Sequence, residues 1–267
     1  MFILKLKAYS YSLKARLRIM SPWKTYLFAG LFALTTPMMA QGADALSETQ
    51  KGEVEQLVRE YILKNPEIVR EAIIELQRRE ELAKAAAKEH ALKNMQKDLT
   101  ANPNDPVLGN PDGDVTVVEF FDYRCGFCKR VLEGVQTLLK EDGNVRYVLK
   151  EFPVLGPESV YASRVAQAVW LHQQDKYQDL HIAMLSSRGS LSKDKVLGIA
   201  EEVGVDVDAL QTQLEDPKVM ETLQATRAQA QALDITGTPS FVVGEHVAPG
   251  AIPLEALKEM VALARKK

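Results

Sequence analysis

The sequence contains little cysteine and histidine, no glycine repeat and no large excess of charge of one sign. Its 267 residues include two Cys, four His and 15 Gly, and 33 basic residues stand against 36 acidic ones, for a net charge of −3. Two Cys can form only one disulfide bond, which excludes a small fold held together by several. The lack of a Gly repeat excludes collagen, and the near-neutral charge gives no reason to expect a nucleic acid partner. What remains is a globular protein of one or two domains, 46% hydrophobic and 26% charged.

The first 45 residues predict a secretory signal peptide. Residues 1–24 carry six basic residues and no acid, residues 26–34 are apolar, and small residues follow near Ala40. This order is typical of a signal peptide, and the apolar run is short for a membrane span, so a permanent anchor is the less favoured alternative. Cleavage removes those six basic residues and Asp44, which leaves 27 basic against 35 acidic residues and a net charge of −8. The mature chain is therefore expected to be acidic and exported, into a compartment where a disulfide bond persists.

Residues 46–99 predict two helices that form a stalk. Glu48–Lys64 carries its apolar residues on one stripe, and Asn65-Pro66-Glu67 is typical of the start of a second helix. Nothing interrupts this second helix before residue 99, so its length is about 50 Å. Its apolar stripe is thin and rich in Ala, so the helix needs a partner to bury it. We predict association between identical chains, a homo-oligomer; packing back onto the main domain is the alternative.

The rest of the chain predicts an α/β domain. Residues 100–114 hold three Pro, two Gly, three Asn and three Asp, which predicts a linker. The domain then covers residues 115–267, with a helical insertion at about 156–233. Its predicted elements are strand 115–121, helix 125–139, strand 145–152, the inserted helices, strand 240–243 and helix 254–266.

Both cysteines lie in Cys125-Gly126-Phe127-Cys128, between the first strand and its helix. No further Cys and no pair of His with ligand spacing accompany them, so no metal site is predicted. A Cys-x-x-Cys motif that opens a helix after a strand is typical of a redox-active dithiol; two buried structural cysteines are the alternative. The positive end of the helix dipole favours the thiolate of Cys125, the predicted nucleophile. Cys128, one turn into the helix, is predicted to resolve the mixed disulfide, and the two intervening residues tune the stability of the reduced form.

Glu119 and Lys150 are charged residues within the two predicted apolar strands. Strand alternation predicts that Glu119 points inward, where its carboxyl group exchanges a proton with Cys128. Lys150 ends the second strand and is predicted to pair with Glu119, and for both residues the alternative is a charge at the strand edge that reaches water. Far downstream, Thr238-Pro239 precedes a short strand and is a candidate cis peptide bond whose backbone binds a peptide substrate by strand addition.

Together these motifs resemble the thioredoxin superfamily, and more closely its DsbA-like branch. The resemblance covers residues 105–266 and rests on Glu119-Phe-Phe-Asp-Tyr-Arg-Cys125-Gly-Phe-Cys128, Lys150-Glu-Phe-Pro-Val-Leu-Gly-Pro-Glu-Ser159 and Gly237-Thr-Pro239. It implies a thioredoxin-like fold with a helical insertion and a periplasmic location. It also implies a Cys125–Cys128 redox-active disulfide with no other cofactor, and substrate contacts at Gly126, Phe127, Thr238 and Pro239. The N-terminal helices resemble, more loosely, the extension of the ScsC (suppressor of copper sensitivity) proteins, some of which trimerise.

The dipeptide Gly126-Phe127 and the Thr before Pro239 are nearer to disulfide isomerases of the superfamily than to its strong oxidases. The resemblance therefore implies a disulfide isomerase or reductase that acts on unfolded or misfolded secreted proteins and is kept reduced by a membrane thiol reductase. The alternatives are a DsbA-like oxidase with a membrane oxidase as its partner, a Cu(I)-binding protein of copper stress, since thiolates suit Cu(I), and a scaffold protein that uses only the stalk.

Overall fold

The structure is a computed structural model that describes residues 46–266, so the predicted signal peptide lies outside the described residues. The described chain divides between Lys64 and Asn65 into two compact units. Within this described part no helix is long and apolar enough to cross a membrane. Its nine helices are α1 (Glu48–Lys64), α2 (Glu67–Thr100), α3 (Gly126–Glu141), α4 (Pro157–His172), α5 (Gln174–Ser186), α6 (Lys193–Glu202), α7 (Val207–Gln213), α8 (Pro217–Ala232) and α9 (Leu254–Arg265). Its five strands are β1 (Val107–Gly109), β2 (Val115–Phe121), β3 (Val145–Glu151), β4 (Ser240–Val243) and β5 (His246–Pro249).

In the first unit, α1 has the predicted bounds and presents its apolar stripe to solvent. Leu57 is 66% exposed, and Val54, Val58 and Ile62 are exposed as well. No residue of α1 is buried.

In the second unit the strands form one mixed sheet in the order β1-β3-β2-β4-β5. β2 and β3 are parallel and are joined through α3, while every other pair in this sheet is antiparallel. Helices α4 to α8 are inserted between β3 and β4, which confirms the predicted α/β fold with a helical insertion.

The linker prediction for residues 100–114 is wrong where β1 lies. Val107 and Leu108 pair with Val148 and Tyr147 of β3, and the preceding Asp105 is buried. The residues typical of turns are present on both sides of β1, but three strand residues are too few to show the alternation by which a strand is recognised. The segment therefore belongs to the sheet as its edge strand.

The two faces of the sheet carry separate hydrophobic clusters. One cluster contains residues of α3, α4, α5 and α9, together with both cysteines. The other contains Val118, Phe120 and Val148 of the sheet, against Leu92 and Leu99 of α2. The last turns of α2 thus pack on the sheet, so the predicted stalk does not extend to residue 99.

Polar groups hold the C-terminal end of α2 on this second face. The Lys150 ammonium donates to the carbonyl of Asp98 at 3.1 Å, and Gln229 donates to the same oxygen at 3.3 Å. The Arg146 guanidinium donates to the carbonyl of Thr100. Cationic groups at a helix C-terminus satisfy carbonyls that have no partner within the helix and complement its dipole.

Candidate active site

The dithiol lies where β2 gives way to α3. Cys125 is the N-cap of α3, and its backbone N–H donates to the carbonyl of Asp122 at 3.0 Å. Both cysteines are free thiols and buried, with Cys125 6% and Cys128 1% exposed. Between them, Gly126 is exposed and the Phe127 side chain is 54% exposed. The first cysteine thus lies just below the surface, next to an aromatic side chain that is open to solvent.

The loop before β4 meets the dithiol. Thr238-Pro239 is a cis peptide bond, as predicted from the sequence. The Sγ of Cys125 donates to the carbonyl oxygen of Thr238 at 3.1 Å, although the two residues are 113 positions apart. They meet because β4 pairs with β2, with Ser240 opposite Phe120, which brings the preceding loop to the N-terminus of α3.

Glu119 points inward, beside Cys128. Its side chain is buried and accepts a hydrogen bond of 2.6 Å from the Tyr147 hydroxyl. Burial raises the pKa of Glu119 to about 7, because the carboxylate loses its hydration, and the Tyr147 hydrogen bond opposes this only in part. Burial also raises the pKa of the Cys128 thiol, and the charge of Glu119 raises it further. Glu119, Cys128, Tyr147 and His181 all line one pocket of about 380 Å³.

Lys150 does not pair with Glu119, and that prediction is wrong. In the parallel ladder Glu119 lies opposite Leu149 and Lys150 lies opposite Phe120, so the two charged side chains are on opposite faces of the sheet. Lys150 is fully buried and forms an ion pair with Asp105 instead. The hydroxyl group that Glu119 contacts belongs to Tyr147, on the same strand as Lys150.

A second buried carboxyl group, Glu151, escapes the sequence analysis. Its Oε1 accepts hydrogen bonds from the hydroxyls of Tyr123 at 3.1 Å and Tyr177 at 3.3 Å, and Tyr123 also lies 3.1 Å from Nδ1 of His181. Burial raises the pKa of Glu151 to about 8 and lowers that of His181 to about 3. The signal that reveals Glu119, an acid within an apolar strand, applies equally to Glu151.

Asp122, between β2 and the dithiol, is also missed from the sequence. Its fully buried carboxylate accepts hydrogen bonds from the N–H of Arg124 at 2.7 Å and from the Ser159 hydroxyl at 2.8 Å. It also accepts from the backbone of Val154 and Leu155, at 2.9 and 3.0 Å. Asp122 thereby ties the loop after β3 to the turn that carries Cys125.

A dithiol at the N-terminus of a helix, after a central parallel strand and against a cis-proline loop, defines a member of the thioredoxin superfamily. The chain belongs to the DSBA-like thioredoxin domain family, whose sequence model matches residues 116–262. The N-terminal domain of the copper resistance protein ScsC matches residues 50–83. Together they make the protein a DsbA-like, ScsC-type member of the superfamily, as the sequence motifs predict.

Solved structures and curated sequences are similar to this chain over different lengths. A thioredoxin-like oxidoreductase from Silicibacter pomeroyi is 46% identical, covers 64% of this chain and 98% of its own, and has a TM-score of 0.62. A ScsC linker-deletion mutant from Proteus mirabilis is 26% identical, covers 84% of this chain and 98% of its own, and has a TM-score of 0.64. A Na⁺/H⁺ antiporter NhaA from Salinispora arenicola is 30% identical over 159 residues, which are 59% of this chain but 24% of the antiporter. The chain thus spans about a quarter of the length of the first curated relatives that it matches. The comparisons support a thiol–disulfide oxidoreductase of the DsbA and ScsC type.

Proposed function

We propose that the protein is a periplasmic thiol–disulfide oxidoreductase that isomerises or reduces disulfide bonds in folding secreted proteins. The observation that carries this proposal is the position of Cys125, just below the surface at the N-terminus of α3 and 3.1 Å from the carbonyl of Thr238. A thiolate is stabilised by the unpaired N–H groups and the dipole of such a helix end. Gly126-Phe127 and the Thr before Pro239 favour an isomerase over a strong oxidase by analogy within the superfamily.

The reaction begins when the Cys125 thiolate attacks one sulfur of a substrate disulfide. A bond forms between Cys125 and that sulfur, the substrate S–S bond breaks, and the other substrate sulfur leaves as a thiolate. In isomerisation, a second substrate thiolate attacks the mixed disulfide and releases Cys125 unchanged. In reduction, Cys128 attacks Cys125 instead, so the substrate leaves reduced and the protein leaves oxidised.

Glu119 is the base for the Cys128 step. The thiol of Cys128 is buried and its pKa is raised, so it needs a nearby acceptor for its proton before it attacks. Glu119 lines the same pocket, and with a pKa of about 7 it can both accept and return a proton near neutral pH. We assign no catalytic role to Lys150, because it lies on the other face of the sheet.

Substrate binds at Gly126, Phe127, Thr238 and Pro239. The exposed Phe127 ring offers an apolar contact beside the attacking sulfur, and the exposed Gly126 lets a peptide backbone approach. The backbone of Thr238 lies within hydrogen-bond distance of Cys125, so an extended peptide paired with it brings its disulfide to that sulfur.

The export signal, the redox partner and the oligomer belong to the same proposal. The basic and apolar N-terminal segment supports export, and a membrane thiol reductase keeps the dithiol reduced. The exposed apolar stripe of α1 and the ScsC match over residues 50–83 support a homo-oligomer. The resemblance to the ScsC proteins, some of which trimerise, implies three chains. Several dithiols on one assembly act on one misfolded chain at high effective concentration.

Two other functions have a specific observation in their favour. The DSBA-like family match favours a disulfide oxidase, which would rest with its cysteines oxidised and be renewed by a membrane oxidase. The match to a copper resistance protein favours Cu(I) binding by the two thiolates. The resting redox state separates oxidase from isomerase, and titration with Cu(I), with and without Cys125→Ser, tests the copper function.

The experiment that tests the proposal is the refolding of scrambled ribonuclease by the pre-reduced protein. We expect recovery of ribonuclease activity that is lost in Cys125→Ala and kept in Cys128→Ala, because isomerisation needs only the first cysteine. Rapid oxidation of reduced ribonuclease by the oxidised protein, without rescue of the scrambled form, would instead establish an oxidase.

A further inference from the structure

Helices α3 and α6 both carry cations in their first turn, where anions are favoured. The first turn of α3 has no acid and includes Lys129, followed by Arg130. Helix α6 begins at Lys193 and has Lys195 in the same turn, and one acid, Asp194, partly balances their positive charge. The N-terminus of a helix carries a partial positive charge, so Lys129, Lys193 and Lys195, which lie in first turns, oppose the dipole. Charges that cost stability in this way point to a function.

Neutral carbonyl groups hold two of these lysines in place. The Lys129 ammonium donates to the carbonyl of Ser187, and the Lys195 ammonium donates to the carbonyl of Arg188. Within the described residues no carboxylate forms an ion pair with either lysine or with Arg188. Burial lowers the pKa of Lys129 and the charge of Lys195 lowers it further, as expected for like charges held close together.

A chain of contacts connects these cations to the segment that carries the dithiol. Lys129 directly follows Cys128 in α3 and donates to the loop after α5. In that loop, the Ser190 hydroxyl donates a hydrogen bond to the Glu158 carboxylate. Glu158 in turn pairs with Arg124, at 3.1 Å, which directly precedes Cys125. The Arg130 guanidinium lies 4.1 Å from the centre of the exposed Phe127 ring. We name Arg124, Lys129, Arg130, Arg188 and Lys195 the basic rim. Two acids lie among these residues: Glu158, which pairs with Arg124, and Asp194, which precedes Lys195.

We propose that the basic rim selects disulfide partners that carry negative charge beside their disulfide bond, acidic polypeptide segments above all. This inference rests on the proposed thiol–disulfide exchange at Cys125. The whole chain is acidic, with a net charge of −3, so its long-range field repels an anionic partner. A local positive rim reverses that repulsion within about 10 Å of the dithiol at 0.1 M salt. An acidic segment also supplies the counter-charges that Lys129, Arg188 and Lys195 lack within the described chain.

The basic rim acts on the thiol–disulfide exchange at Cys125. The Cys125 thiolate forms a bond with one sulfur of the anionic disulfide, the old S–S bond breaks, and the other half leaves as a thiolate that takes a proton from water. An anionic nucleophile and an anionic substrate repel each other as they approach. Positive groups around the sulfur offset this repulsion for anionic substrates and oppose the approach of cationic ones.

The test compares two small disulfides of opposite charge, oxidised glutathione and cystamine, as oxidants of the pre-reduced full chain. The rate is followed by acid quench, thiol alkylation and mass spectrometry, in 20 mM and 500 mM salt. For the variant Lys129→Gln/Arg188→Gln/Lys195→Gln at low salt, we expect the glutathione rate to fall about five-fold relative to the cystamine rate, and the difference to shrink at high salt. Arg188→Gln alone, an exposed position that risks no misfolding, should show part of the effect. The matched control is Lys218→Gln, exposed and on α8, which should leave the ratio unchanged.

Each outcome decides between the two proposals. Equal changes in both rates, or an equal effect of Lys218→Gln, overturn the role of the rim while leaving the exchange activity intact. A wild-type chain that reacts with neither disulfide in a Cys125-dependent manner overturns the proposed function, and the rim inference with it.

Discussion

Replacing Glu119 by Gln is expected to stabilise the reduced protein at pH values above 7. Burial raises the pKa of this carboxyl group from 4.5 to about 7. Between these two values the unfolded chain releases the proton while the folded chain keeps it, so stability falls as the pH rises through this window. The difference between these two pKa values, at about 1.36 kcal/mol per pKa unit, corresponds to a loss of about 3 kcal/mol in the free energy of unfolding. This cost is absent below pH 4.5 and complete above pH 7.

The Gln variant removes that cost and keeps most of the packing. The Tyr147 hydroxyl, which donates to the carboxylate at 2.6 Å, can donate to the amide oxygen instead. Because the pKa of about 7 already includes the effect of this hydrogen bond, no separate loss is subtracted, and the net expectation is a gain of about 3 kcal/mol at pH 8. At pH 4 the variant should be equal to the wild type or slightly less stable.

Urea unfolding in the presence of a phosphine reductant, from pH 4 to pH 8, measures this difference. The control is Glu221→Gln, an exposed acid on α8, whose stability curve should run parallel to that of the wild type. If the Glu119→Gln curve is also parallel to the wild type at every pH, Glu119 does not carry the raised pKa and its assignment as the base for Cys128 fails.

Three further substitutions test other parts of the site. Lys150→Met leaves Asp105 buried without its partner and should lower the free energy of unfolding in urea by about 3–5 kcal/mol, most of which is recovered by adding Asp105→Leu. The exchange rate of Cys125 should change less than about two-fold, and a large loss of that rate in the folded variant would restore a catalytic role to Lys150. Glu151→Gln should make stability less dependent on pH between 4.5 and 8, because its raised pKa of about 8 makes the wild type lose stability as the pH rises through that window; an unchanged urea profile would contradict this. Phe127→Ala should raise the KM for a disulfide-containing peptide about five-fold with kcat unchanged. Because the ring is 54% exposed, the free energy of unfolding should change by no more than about 0.5 kcal/mol, and an unchanged KM would remove Phe127 from the substrate surface.

The sequence predicts the central strands well and the edge strands not at all. β2 and β4 have the predicted bounds, because each is an apolar run between turn-forming residues. β1 and β5 have three and four residues, too few to show a period of two. Their place in the sheet depends on pairing with distant strands, which no local pattern encodes.

The same limit explains which site residues are predictable. Cys125, Cys128 and Thr238-Pro239 belong to short motifs whose chemistry is local, and alternation alone places Glu119 on the inner face. The partner of Lys150 depends on the register between β2 and β3, so its pairing with Glu119 is predicted wrongly. Tyr123, Glu151 and His181 come from three separate parts of the chain, and only the assembled fold brings their polar groups together.

Helix α2 is fixed to the sheet at its C-terminal end. Its last turn is held by Lys150, Arg146 and Gln229, and its 34 residues extend about 50 Å from that point. For a helix of this length, a tilt of about ten degrees at the C-terminal end displaces the N-terminal end by roughly 9 Å. Slight repacking around Leu99 is therefore magnified along the helix, on the sheet face that does not carry the dithiol. The position of the N-terminal end of α2 can thus be altered by substitution at its base without changing the geometry of the cysteines.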